Sequence, residues 1–123
     1  MVWEVAFSDE FDAEFEDLSE AVQDELLAAA ELLAMFGPQL GRPRADTLND
    51  SSLANMKELR FDADDGVWRV AFAFDPQRKA ILLVAGDKSG GSEKRFYKSL
   101  IAKADKRYRA HLDRLAAVKK GKK

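Results

Sequence analysis

The sequence predicts an α+β fold: a small antiparallel-rich sheet with an N-terminal helical hairpin and a long C-terminal helix, in the order β-α-α-β-β-β-α. Three observations predict it. Two helical stripes with capping residues occupy residues 8–36. Three apolar runs separated by turn residues occupy 53–85. One long apolar stripe set among Lys and Arg fills 93–118. The 123 residues suffice for one domain, which can bury roughly two-thirds of its unfolded surface without a disulfide or metal. The expected domain is 1–118, followed by a basic tail, 119–123.

The elements follow in order. Trp3 to Phe7 alternates as a short strand, with Trp3, Val5 and Phe7 inward. Ser8 and Asp9 suit an N-cap, and Phe11, Phe15 and Leu18 extend a first helix of about three turns. Ser19 caps a second helix with a buried stripe of Val22, Leu26, Ala29, Ala30 and Leu33, and Gly37-Pro38 stops it. Residues 37–52 read as a loop. Strands are expected over Leu53–Phe61, Val67–Phe74 and Ala80–Ala85, the last central because it is nearly all apolar. Asp65-Gly66 closes the first hairpin, and Asp75-Pro76-Gln77-Arg78 turns the second. Ser89-Gly90-Gly91-Ser92 leads into the final helix, whose stripe is Phe96, Leu100, Ala104, Tyr108, Leu112 and Leu115.

Composition excludes several chemistries. Hydrophobic residues are 46% and charged residues 34%, as in a soluble globular chain. Without Cys there is no thiol catalysis, disulfide scaffold or Cys-based zinc site. With one His there is no His-dyad catalysis and no multi-His metal site. His111 lies beside Tyr108 and Leu112 and reads as a packed helix residue. No run is long enough to span a membrane, and no secretory signal opens the chain, so the expected compartment is the cytoplasm. Gly86 to Gly91 is Gly-rich but lacks the spacing of a phosphate-binding loop.

Charge is segregated. Residues 1–40 hold 11 acids and no Lys or Arg, whereas 88–123 hold 13 basic residues and three acids. Either the two ends neutralise each other in the fold, or the basic end faces a polyanion; the readings are compatible.

Strand parity selects candidate functional residues. Trp68, Val70, Phe72 and Phe74 should face the helices, leaving Arg69 on the other face beside a shallow floor of Ala71 and Ala73. Met56, Glu58 and Arg60 share that second face, and Lys57 has core parity. Arg60 and Arg69 meet there if the hairpin register puts them on one side. With Lys88, Tyr97, Lys94, Arg95 and Lys98 they form a constellation suited to phosphate and a base. Glu58, or a nearby Lys, could move a proton in RNA cleavage by the 2′-OH while the guanidiniums hold the developing charge. The competing reading is a cross-strand charge ladder.

The runs Gly41-Arg42-Pro43, Met56-Lys57-Glu58-Leu59-Arg60-Phe61, Trp68-Arg69-Val70-Ala71-Phe72 and Ile81-Leu82-Leu83-Val84-Ala85-Gly86-Asp87-Lys88, in that order, resemble the RelE/ParE toxin superfamily, nearest its HigB-type, phage-related branch. The resemblance implies a toxin of a bacterial type II toxin–antitoxin system. It implies a ribosome-dependent mRNA endoribonuclease that inhibits translation without a metal or other cofactor. Alternatives within the superfamily are a non-catalytic, ParE-like toxin that poisons DNA gyrase and a degenerate toxin that only binds its antitoxin. The implied partners are a helix-turn-helix antitoxin, the ribosome and mRNA, with operator DNA reached only through the antitoxin. Carried over by position, Arg69, Arg60, Lys88 and Tyr97 match the family's site; with Glu58 from the strand-parity reading they are the catalytic candidates, and Lys57, Lys94, Arg95 and Lys98 are the RNA-binding ones. The chain departs from RelE proper at Met56 and Glu58, where the family has a pair of lysines.

Overall fold

In the computed structural model, which describes residues 2–53 and 55–121, the chain runs through β1 (Glu4–Phe7), α1 (Asp9–Phe15), α2 (Glu20–Phe36), a 3₁₀ turn (Gly37–Gln39), β2 (Ala45–Thr47), β3 (Lys57–Ala63), β4 (Gly66–Phe74), β5 (Lys79–Asp87) and α3 (Glu93–Gly121). Of the expected tail, Lys122 and Lys123 lie outside the described residues. The five strands form one sheet in the order β1-β5-β4-β3-β2. β1 pairs with β5 in parallel, and the other neighbours are antiparallel. No helix among the described residues is long and apolar enough to cross a membrane.

The caps sit where the sequence puts them. Ser8 Oγ accepts from the Phe11 N–H at 3.2 Å, and Ser19 Oγ from the Val22 N–H at 3.3 Å. α1 nevertheless ends at Phe15 rather than Leu18: tight turns from Glu14 and Phe15 carbonyls to the Asp17 and Leu18 N–H groups replace the third turn. Gly37 ends α2 at φ 57°, with a Cβ position that would overlap the Trp3 ring, so only glycine fits.

Two boundaries differ from the sequence reading. The 37–52 loop contains β2, whose Ala45, Asp46 and Thr47 pair with Leu59, Glu58 and Lys57. The following strand starts at Lys57, not Leu53, because Ser51 and Ser52 bond to Asp105 of α3 and hold the chain off the sheet. At the β3–β4 hairpin the positive φ values fall on Asp64 (53°) and Asp65 (60°), the pair a two-residue I′ turn needs. Gly66 is instead the first residue of β4. A Cβ there would come within 2.7 Å of an Asp87 carboxylate oxygen and 2.8 Å of Trp68 Nε1.

Both faces of the sheet are buried. Leu59, Val70, Phe72 and Leu82 pack with Phe11, Val22, Leu26 and Leu33 of α1 and α2. Met56, Ala71, Ala73, Ile81 and Leu83 pack with Leu100, Ile101, Ala104 and Tyr108 of α3. The parity assignment for β4 is right, but its second face is no open floor: Ala71 and Ala73 are 0% and 1% exposed beneath α3. A register shift between Ala71 and Phe72 makes Val84 and Leu82 their β5 partners and leaves Leu83 as the extra residue. The bulge lets Leu83 and Val84 both join the α3 cluster.

The charged ends partly neutralise each other. The Arg107 guanidinium donates to both carboxylate oxygens of Glu14, at 2.7 and 2.6 Å, and to the Leu83 carbonyl at 2.8 Å. Arg114 reaches Asp9 at 3.3 Å and Glu10 at 3.2 Å. These contacts tie the C-terminal half of α3 to α1.

Candidate functional site

The β3–β4 register sets Arg60 opposite Arg69 and Glu58 opposite Ala71, so all three charged side chains leave the sheet on the α3 side. The N-terminal turns of α3 bring Tyr97 over them. Its hydroxyl donates to Glu58 Oε1 at 2.8 Å. Arg69 Nε lies 3.8 Å from the same oxygen, and Arg60 Nε lies 3.5 Å from Oε2. These are ion-pair separations but not hydrogen bonds, and both Nε groups are buried without a hydrogen-bond partner among the described residues. Arg69 is oriented by its own Nη1, which donates to the Trp68 carbonyl at 2.9 Å.

Burial dominates the electrostatics. Glu58 is 4% exposed and Arg69 7%. Loss of water pushes the Glu58 carboxyl up, while the Tyr97 hydroxyl and then the two guanidiniums pull it down; burial wins, and the group titrates above its ordinary 4.5. Tyr97 is raised above its ordinary 10.0 by burial first and by donating to Glu58 second. A carboxyl shifted toward neutrality beside two cations is suited to taking and returning a proton.

Lys88 follows β5, where its N–H bonds the Val67 carbonyl. Its Nζ sits 2.7 Å from Glu93 Oε1 and 5.9 Å from the centroid of the Tyr97 ring. The structure therefore gathers Glu58, Arg60, Arg69, Tyr97 and Lys88. Lys94 and Lys98 line an adjoining groove. Arg95 is exposed on α3 but does not line that groove. Lys57 is not part of the cluster: its register with Phe72 places it on the α2 side of the sheet, near the β2 edge. His111 is bonded at 2.8 Å to Asp75, a buried turn residue that also accepts from the Gln77 and Lys79 N–H groups.

Two clefts border the cluster, one lined by Glu58 and the other by Arg60 and Arg69. The first, of about 670 Å³, lies between α3 and the β2–β3 loop and is lined by Leu48, Asn49, Asp50, Tyr97, Lys98 and Ile101 among others. The second, of about 540 Å³, is bounded by Arg44, Arg60, Arg69, Pro43, Asp62 and Glu25. Sequence reasoning missed Arg44 and the 48–50 loop because it read 37–52 as a connecting loop and used only Gly41-Arg42-Pro43 from it. The Arg42-Pro43-Arg44 run and the Ser51-Ser52 pair were the available signals.

Comparison with known proteins gives concordant matches. The family model for phage derived protein Gp49-like (DUF891) matches residues 13–109. HigB3 of Mycobacterium tuberculosis (strain ATCC 25618 / H37Rv), described as a candidate toxin, is 54% identical over 79 residues, 64% of this chain and 67% of that protein. HigB2 of the same strain, likewise a candidate toxin, is 43% identical over 88 residues, 71% of this chain but 43% of that longer protein. The structure of a mutant E. coli toxin RelE in the free state aligns with a TM-score of 0.58 at 12% identity, covering 84% of this chain and 97% of that one. That likeness shows the fold.

Proposed function

Because the chain belongs to the Gp49-like family, in its HigB-type branch with a RelE fold, we propose that it is the toxin of a bacterial toxin–antitoxin pair and that it cleaves mRNA on the ribosome. The observation that carries the catalytic part is the buried Glu58 carboxyl, held by Tyr97 between two guanidiniums whose Nε groups lack hydrogen-bond partners among the described residues.

In this reading the RNA 2′-oxygen attacks its own phosphate. Glu58 accepts the 2′-OH proton as the O2′–P bond forms. Arg60 and Arg69 hold the non-bridging oxygens, whose charge grows in the transition state. The P–O5′ bond breaks, and Lys88 or the protonated Glu58 returns a proton to the departing 5′-oxygen. The products are a 2′,3′-cyclic phosphate and a 5′-OH. Tyr97 orients Glu58 and offers a ring to a neighbouring base.

A second reading has an observation in its favour. At 4% and 7% exposure, Glu58 and Arg69 also suit an internal ion-pair network in a toxin that acts by binding a protein target such as gyrase. The test is purified ribosomes with a defined mRNA, and mapping of new ends. Cleavage leaving 5′-OH ends, abolished by Glu58→Gln, supports the nuclease. Intact mRNA with gyrase-dependent DNA breaks on induction selects the binding reading. The antitoxin should be a helix-turn-helix protein with an acidic segment over the basic part of α3. Its co-expression should restore growth and yield a complex stable at low salt.

A further inference from the structure

The groove between α3 and the β2–β3 loop contains more machinery than the catalytic reading uses. Its walls are apolar where Leu48, Ile101 and the Tyr97 ring meet, and polar at the loop, where Asn49 and Asp50 line it. Lys94 and Lys98 line its α3 side together with Glu93, whose carboxylate is paired with Lys88. Its volume, about 670 Å³, lies within the ordinary range for a small-molecule site.

The loop is fixed from behind. Asp105, itself 7% exposed, accepts from the Ser51 hydroxyl, the Ser52 hydroxyl at 2.8 Å and the Ser52 N–H at 3.0 Å. Arg109 adds a bond of 2.7 Å to Ser52 Oγ. The loop is also closed from within, because the Leu48 N–H donates to the Met56 carbonyl at 2.9 Å and the Ser51 N–H to the Leu48 carbonyl. Catalysis at Glu58 needs none of these bonds. They hold Asn49 and Asp50 in place against the groove.

We propose that this groove is a nucleobase-reading subsite, with Asn49 and Asp50 setting the base preference and Asp105 acting as the positioning residue. The proposal rests on RNA being the substrate. An apolar slot with one aromatic wall takes a base by stacking. An amide and a carboxylate supply both donors and acceptors for a base edge, which a generic phosphate site has no use for. Lys94 and Lys98 suit the attached phosphate. Glu58 is a shared wall, so a base seated here places its own backbone beside the reacting centre.

The test is binding, kept separate from cleavage. The intact protein is titrated with the four nucleoside 5′-monophosphates and with ribose 5-phosphate as the base-free probe, and amide and aromatic resonances are followed by NMR. The expected result is shifts at Asn49, Asp50, Tyr97 and Ile101. At least one nucleotide should bind about tenfold more tightly than ribose 5-phosphate, the size of one stacking contact. Asn49→Ala and Asp50→Ala should change the rank order of the four bases while ribose 5-phosphate binding stays constant. Asp105→Asn should flatten the rank order with the Tyr97 shift retained. Equal binding of ribose 5-phosphate and all four nucleotides would overturn the proposal, as would an unchanged rank order in both loop variants. Groove shifts with a protein partner but with none of the nucleotides would reassign the groove and overturn it too. An inactive protein that still ranks bases would refute the nuclease reading alone.

Discussion

Arg69→Ala tests the buried cluster most directly. The substitution deletes a guanidinium 3.8 Å from Glu58 and the bond it donates to the Trp68 carbonyl. Breaking a fully buried pair costs about 3–5 kcal/mol when the survivor has nothing else. Here Glu58 keeps the Tyr97 hydroxyl at 2.8 Å and Arg60 at 3.5 Å, and it can bind a proton, so the loss should be about 1–3 kcal/mol. For a chain of this size that is a fall of about 5–15 °C in Tm. The loss depends on pH with a definite sign. Arg69 pulls the Glu58 carboxyl down against burial, so its removal lets the carboxyl rise further above 4.5. A carboxyl raised in the folded state destabilises progressively as pH increases from its unfolded value through its folded one. The Arg69→Ala penalty should therefore be smaller at pH 4 than at pH 7.5. Urea melts of both proteins at the two pH values measure it. RNA cleavage should fall at least about a hundredfold, the loss expected for one charge-stabilising donor. A penalty of equal size at both pH values would refute the assigned coupling to Glu58. Undiminished cleavage by the folded variant would move the reacting centre elsewhere.

Further outcomes follow from the same geometry. Tyr97→Phe removes the hydroxyl that lowers the Glu58 carboxyl, so a carboxyl NMR titration should show Glu58 moving higher, and the acid limb of the cleavage profile should move the same way, at a stability cost of about 1 kcal/mol. Burial raises Asp105, but its bonds from Ser51 and Ser52 and the nearby Arg109 outweigh burial and hold it below 3.8. Its contribution is thus present above pH 3.8 and lost as pH falls through the folded value; urea melts of Asp105→Asn should show a deficit of about 1–2 kcal/mol at pH 7 that narrows below pH 3. Gly37→Ala places a Cβ 2.3 Å from Trp3 Nε1 at a φ of +57°, so a thermal melt should show a loss of about 2–4 kcal/mol together with altered Trp fluorescence.

The elements legible in the sequence are those fixed by local chemistry. Ser8 and Ser19 mark helix starts through their own hydroxyls, and Gly37 marks a stop through its own φ. Alternation along β4 correctly separates Arg69 from Trp68 and Val70 because parity is a local property. What parity lacks is the identity of the layer beyond each face. Ala71 and Ala73 look like an open floor until α3, more than twenty residues later, is placed on them. On an open floor Arg69 would be a surface side chain; beneath α3 it is 7% exposed. The same limit hides β2: three residues carry too little pattern to be read as a strand, and they are one only because Leu59 and Lys57 pair with them. The Glu58–Tyr97 bond spans 39 residues and was foreseen only as a loose constellation. Parity already sets Lys57 on the face opposite Glu58 and Arg60, and its register with Phe72 agrees.

Charge segregation explains how a chain of net charge −2 can present a cationic site. On α1, Glu14 pairs with Arg107, while Asp9 and Glu10 share Arg114, both arginines lying far along α3 from Tyr97. α2 packs on the opposite sheet face from α3, and its Glu25 borders the cleft lined by Arg60 and Arg69. At physiological salt, exposed charges more than about 8 Å apart are largely screened from one another. A strand that crosses both clefts therefore meets Lys94 and Lys98 in one and Arg60 and Arg69 in the other, with Asp50, Glu58 and Glu93 beside the lysines. Four such contacts to a single strand give a slope of log K against log salt of about −3, a shallow dependence. Electrostatic search along free RNA is correspondingly weak in a chain with this many acids. A site so arranged works best when another surface delivers the strand to it, and under the proposed nuclease function the ribosome would be that surface.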